Sequence, residues 1–308
     1  MKYADLTRIS EALKLCPPEF AVSRQREELL LQLDKLFGEP FSEFSSELGR
    51  FYHHQVDRVL EEVAAYGGSA PRFWKLYSSG FIIKDAGKVI AFDINNGCTI
   101  LNGRPSLALK PSQISKLAAL IDEYYVTHSH ADHISGSLCD ALVRRKKFLA
   151  MPDECRHSWR VPGAIASENL KRTGMHAYLN WQGTAAGGLD CAMYHLALSN
   201  GKNVMVRGDI YHAEGFSGCM DFLDQNKLDV DYVFASHYST SGPEPIPFLN
   251  GKYHCRFIPI HEWEFSHRKP GKPGPATQCF EELYSVYNDF YQQNHAQILS
   301  WGESITLD

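Results

Sequence analysis

The stretch VTHSHADHISG, residues 126–136, sets three histidines and an aspartate within six consecutive positions: His128, His130, Asp132 and His133. Imidazoles and a carboxylate at this density satisfy one another poorly in a dry interior and repel when protonated. A cation removes both difficulties. In extended backbone, side chains two residues apart fall on one side, so His128 and His130 can reach one ion at about 2.0–2.1 Å. Asp132 and His133 follow where the chain is expected to turn into a helix, and they face a second position. Imidazole with carboxylate suits Zn2+, with Fe or Mn also able to occupy such a set. Two ions about 3.5–4 Å apart can bind a bridging hydroxide, polarise a scissile bond and hold the leaving oxygen. A carboxylate at another strand end, such as Asp209 in NVMVRGD, is the kind of group that bridges such ions.

Other chemistries find less support. Structural zinc usually takes four ligands rich in Cys, and only Cys139 lies near this run. There is no Gly-x-Ser-x-Gly elbow for a serine nucleophile, and neither Gly-rich phosphate fingerprint occurs. The net charge of −5 argues against a protein built to coat nucleic acid. The eight cysteines are scattered with no Cys-x-x-Cys pair, the N-terminus carries charges throughout, and no run of about 18 apolar residues occurs. A cytoplasmic protein without a membrane span is expected.

The elements that must position these residues can be read from periodicity. Residues 1–68 read as helical: Leu29, Leu30, Leu33 and Leu36 recur at helical spacing, as do Leu48, Phe51, Val56, Val59, Leu60 and Val63. Adjacent helical residues point about 100° apart, so His53 and His54 are better read as solvated or interface residues than as chelators. From residue 73 a strand and a hairpin are expected, turning at residues 85–88. A helix over 111–123 leads to the short strand YYVTH, which delivers the ligand cluster at its C-terminal end. Residues 191–209 read as a hairpin with a type I′ turn at Asn200-Gly201. Two further strands, at 228–237 and 254–261, each end in His. A last helix starts near Gln278, and a closing strand follows. Strands that repeatedly end in His or Asp point to one convergent site.

The chain thus resembles the metallo-β-lactamase-fold hydrolases. THSHADHISG matches their His-x-His-x-Asp-His signature at all four ligand positions, GKVIAFDINNG looks like the strand before it, and NGKNVMVRGD looks like the strand ending in a bridging aspartate. The stretch RFIPIHEWEF and the tail ILSWGESITL are similar to the branch containing ascorbate-6-phosphate lactonase and N-acylphosphatidylethanolamine-hydrolysing phospholipase D. The resemblance covers about residues 73–308. It implies an α/β fold, a four-layer αββα sandwich over residues 69–308; the helical segment of residues 1–68, read from periodicity, is an addition that the resemblance does not explain. It implies that His128 and His130 bind a first ion, Asp132 and His133 a second, that Asp209 bridges, and that His261 completes the second site. His237 competes for that last role, or instead contacts substrate or shuttles protons.

One position departs from the pattern. The family expects a further His before the hairpin that ends at Asp209, and NWQGTAAGG, residues 180–188, offers none. His176 is the nearest upstream candidate, with His195 expected to be a packed sheet residue and Gln182 a poor zinc ligand. The expected function is a metal-dependent hydrolase that uses hydroxide bound to one or two Zn2+ ions on a small-molecule ester, lactone or phosphodiester. Asp132, where not fully used as a ligand, could accept a proton from attacking water. A catalytically impaired binding or regulatory member is the alternative from another class, and a nuclease, with nucleic acid as an unlikely partner, is the third. The N-terminal helices are expected to form a lid or a homodimer contact.

Overall fold

The computed structural model describes residues 2–38, 41–97, 107–181, 188–210, 212–235, 251–265 and 278–308, with the backbone alone for residues 2, 41–45 and 213. Three helices lead: α1 (Lys2–Lys14), α2 (Arg24–Phe37) and α3 (Phe41–Ala65). Ser23 caps α2 by accepting from the Arg26 N–H, satisfying one of the open donors of the first turn. Among the described residues, twelve strands follow, in two sheets.

The first sheet has β1 (Arg72–Lys75), β2 (Phe81–Asp85) and β3 (Lys88–Phe92) as an antiparallel meander. Next to β3 lie β4 (Glu123–Tyr125), β5 (Phe148–Met151) and β6 (Ile165–Ala166), all parallel, and β12 (Ser304–Thr306) closes the other edge against β1. The second sheet runs β11 (Arg256–Pro259), β10 (Tyr232–Ala235), β9 (Asn203–Gly208), β8 (Asp190–Ala197) and β7 (Met175–Trp181). Its β9, β10 and β11 are parallel, so both sheets have a parallel half whose C-terminal ends can open a crevice.

The sheets pack face to face through side chains at alternate positions, the period-2 pattern of a strand. Phe73 and Phe234 stack at 4.8 Å between centroids, and Phe92 meets Tyr194 at 6.0 Å. The opposite faces carry helices. The helices α4 (Pro111–Leu120) and α5 (Gly136–Arg144) lay Leu117, Leu138 and Leu142 over the first sheet, and α7 (Ala213–Gln225) lays Cys219 and Leu223 over the second. The resulting order is helix, sheet, sheet, helix, as the resemblance implied. A short α6 (Asp153–Ser158) follows β5, and the expected last helix is two short ones, α8 (Phe280–Val286) and α9 (Asn288–Gln292).

The N-terminal helices join the same core. Trp74 on β1 donates to Glu62 of α3 at 3.0 Å, and Lys84 on β2 donates to the Val63 carbonyl at 2.8 Å. Phe37 stacks on Trp301 at 4.8 Å and meets Trp263 edge-on at 5.3 Å. Leu29, Leu30, Leu33 and Phe37 of α2 are buried in this core. The hairpin turn also differs from expectation. Of Asn200 and Gly201, only the glycine has positive φ, +83°, so the connection is not type I′. It closes instead through Gly201 N–H to Leu198 O at 3.0 Å, with Leu198 N–H to Lys202 O at 2.8 Å.

Candidate metal centre

Four strand ends build the centre. β3 runs into Asp93, β4 into Thr127 and His128, β9 into Asp209, and β11 into Ile260 and His261. Asp209 is aimed by an irregularity: the β9–β10 register shifts between Phe234 and Ala235, so that Arg207 is the extra residue. Such a bulge re-aims the side chain that follows. Gly208 within it has φ +60°, and a Cβ there would lie 2.8 Å from Thr127 Cβ and 3.0 Å from Cys191 Sγ. Only glycine fits this position without displacing its neighbours.

Two groups of three ligand atoms result: His128, His130 and Asp209, then Asp132, His133 and His261, with the atoms of each group within 4.8 Å of one another. Asp209 Oδ2 lies 3.8 Å from His128 Nε2, 3.5 Å from His133 Nε2 and 3.9 Å from His261 Nε2, so one oxygen faces both groups. Ligand atoms about 2.1 Å from a shared ion at tetrahedral angles stand roughly 3.4 Å apart, and these spacings fit. His261 Nε2 is 2.8 Å from Asp132 Oδ2, a hydrogen bond. Among the described residues, buried His128 Nε2 finds no hydrogen-bond partner, which is a cost unless a cation takes its lone pair. The donor set and this atom together fit a bound divalent metal.

The electrostatics point the same way. Burial, reinforced by the His133 and His130 imidazoles, pushes His128 well below the ordinary histidine range. Burial also opposes charge on His133, but Asp209, Asp93 and Asp132 outweigh it and hold that imidazole up. His261 is raised by Asp209 and Asp132 against the same burial. Asp209, though buried, is held well below the carboxylate range by His261, His133 and His128. Negative charge thus persists at the point between the two groups, where a cation is best stabilised.

The sequence reading missed the supporting shell. His133 Nδ1 is 2.9 Å from Asp93 Oδ2, and Thr127 donates both its N–H and its hydroxyl to the same carboxylate at 2.7 Å. With Nδ1–H donated to Asp93, Nε2 keeps its lone pair for a metal. Asn95 donates to the Asp132 carbonyl at 2.6 Å, and Ser79 Oγ lies 3.3 Å from His133 Nε2. A signal was present: an aspartate ending the apolar run VIAF, followed by Ile-Asn-Asn, is costly unless it has partners. Asp93→Ala is expected to weaken metal binding about 10–100-fold with the fold intact, measured by chelator competition.

His176 requires a correction. It sits on β7 opposite His195, their rings 5.9 Å apart, and belongs to neither ligand group. The crevice end of this ladder is the other one, where the Ala192 N–H bonds the Thr127 carbonyl. Ala192 pairs with Leu179, three residues along β7 from His176, about 10 Å at strand rise. His195 is a packed sheet residue, its Nε2 2.8 Å from the Asp229 carbonyl. His237 and Gln182 lie outside the described residues. His53 contacts Gln113 of α4 at 3.0 Å.

This two-sheet sandwich, with His and Asp side chains gathered at its strand ends, is the metallo-β-lactamase fold. The solved structures it matches include a possible metal-dependent hydrolase from Veillonella parvula, at 12% identity over 77% of this chain and 98% of that one, TM-score 0.54. They include the isothiocyanate hydrolase from Delia radicum gut bacteria, at 15% identity over 76% of this chain and 98% of that one, TM-score 0.55. A variant of the CmlA β-hydroxylase also matches, at 11% identity over 89% of this chain and 62% of that one, TM-score 0.50. No family model and no curated protein sequence matches the chain. No helix among the described residues is long and apolar enough to cross a membrane.

Proposed function

We propose that this protein is a metal-dependent hydrolase of small molecules, acting on an ester, lactone or phosphodiester bond. The observation that carries the reading is the pair of His/Asp groups that face one oxygen of Asp209. Bound there, divalent ions, Zn2+ first, would acidify water and act as Lewis acids on a carbonyl or phosphoryl oxygen. His128, His130 and Asp209 would hold one ion, and Asp132, His133 and His261 the other, with Asp209 between them. Asp132, where not fully used as a ligand, would accept a proton from the attacking water. His237, expected to follow β10, would move protons or contact substrate. The branch with ascorbate-6-phosphate lactonase and the phospholipase remains part of this proposal, as does a cytoplasmic location.

The test is metal analysis coupled to turnover. Protein from cells supplied with zinc, iron or manganese should hold one to two ions per chain. It should hydrolyse some member of an ester, lactone, phosphodiester and isothiocyanate panel only while metal is present. Less than one ion per chain, with no metal-dependent turnover, would rule the reading out.

One observation favours a second reading. Each group is two histidines and one carboxylate, the set that open iron sites use with dioxygen, and the β-hydroxylase comparison spans 89% of this chain. That reading requires iron to outcompete zinc during loading and oxygen uptake to depend on the iron.

A further inference from the structure

Behind His261 lies an ion pair that belongs to neither ligand group. Lys75, the last residue of β1, and Glu262 are 0% and 1% exposed, and Lys75 Nζ lies 3.1 Å from Glu262 Oε1. The same ammonium donates to the Ser78 carbonyl, and that carbonyl accepts the His261 N–H at 3.2 Å. The backbone here is unusual. His261 has φ +78°, Ser78 +52° and Trp263 +51°, all in the left-handed region that side chains with a Cβ avoid. Such conformations persist where surrounding contacts over-determine them, and they cluster at functional sites.

Stability does not account for the pair. Burying two charges is costly, and replacing such a pair with apolar residues of similar volume is often neutral or stabilising. Its geometry suggests a different use. One lysine grips the chain on both sides of His261: through the Ser78 carbonyl on the residue's own N–H, and through the side chain of the next residue. That leaves the imidazole little freedom to swing from Asp132 and Asp209.

We infer that Lys75 and Glu262 form a buried clamp that positions His261 for metal binding, and so set the affinity of the second metal position. The inference rests on the metal-binding reading of His261 given above. Neither clamp residue touches an ion; both are positioning residues.

The test titrates the apo protein with Zn2+ against a competing chelator, records Co2+ absorption at each equivalent, and measures the thermal midpoint in parallel. Lys75→Met and Glu262→Gln should each weaken one of two ions about 10–100-fold, the effect of removing support from a metal ligand, and lower the midpoint. Lys75→Met/Glu262→Leu should recover the midpoint but keep the weakened ion and an altered Co2+ spectrum. A double variant that binds both ions with wild-type affinity overturns the clamp, as do folded single variants with unchanged affinities. Wild-type protein that retains no ion is a different result, and it overturns the metal reading together with the clamp.

Discussion

Asp209→Ala should empty both metal positions with one substitution. Among the described residues, Asp209 is the carboxylate placed within 4 Å of imidazoles from both groups: its Oδ2 stands 3.8 Å from His128 and 3.5 Å from His133. Removing it leaves the first group with two imidazoles alone, His128 and His130, and takes the bridging charge from the second. The loss of Lewis-acid and water-activating chemistry is several kcal/mol of transition-state stabilisation, so turnover should fall by about 10³-fold or more. Metal per chain, read by plasma emission after gel filtration, should drop well below that of wild type. Full metal retention in Asp209→Ala would mean that the groups act separately and that the bridge does not exist.

Arg26→Ala should cause the largest loss of stability from any single exposed-looking polar position of the N-terminal helices. The sequence shows Arg26 among charged neighbours in SRQREELL, yet its side chain is 1% exposed. It donates to both oxygens of Glu303 just before β12, to the Ile298 carbonyl at 2.9 Å and to the Cys16 carbonyl at 3.0 Å. Truncation leaves a buried carboxylate and two carbonyls without these donors, which should cost about 3–5 kcal/mol. Urea unfolding measures it. Arg26→Met/Glu303→Leu should recover most of the loss, because an apolar pair of similar volume replaces the ions without stranding a charge. If Arg26→Ala instead unfolds within about 1 kcal/mol of wild type, the N-terminal helices are not fastened to the sandwich by this pair.

Much of the centre was legible because its chemistry is dense in sequence. His128, His130, Asp132 and His133 lie within one loop, so extended-chain geometry alone brings their ligand atoms near one another. Asp209 and His261 were readable as polar residues that end apolar strands, a pattern that is costly unless the strand ends at a site. His176 was misjudged for a related reason. Its distance from the hairpin in sequence is short, but β7 runs antiparallel to β8, and pairing with His195 carries it away from the crevice. The type I′ turn failed because Asn-Gly is a propensity, and the register of Ala197 with Asn203 leaves a loop too long for it.

From local pattern alone came the helices read over 23–38 and 111–123, which the structure bounds at Arg24–Phe37 and Pro111–Leu120, and four residues of the candidate centre, since each depends on neighbours within a few residues. Tertiary structure decided what depends on remote partners. It chose Asp93 to orient His133 across 40 residues of chain. It turned Arg26 inward onto Glu303, 277 positions away, and seated Phe37 of α2 against Trp263 and Trp301. Burial converts a polar residue from solvated to structural only when distant segments close over it, and no window of sequence contains both halves of that closure.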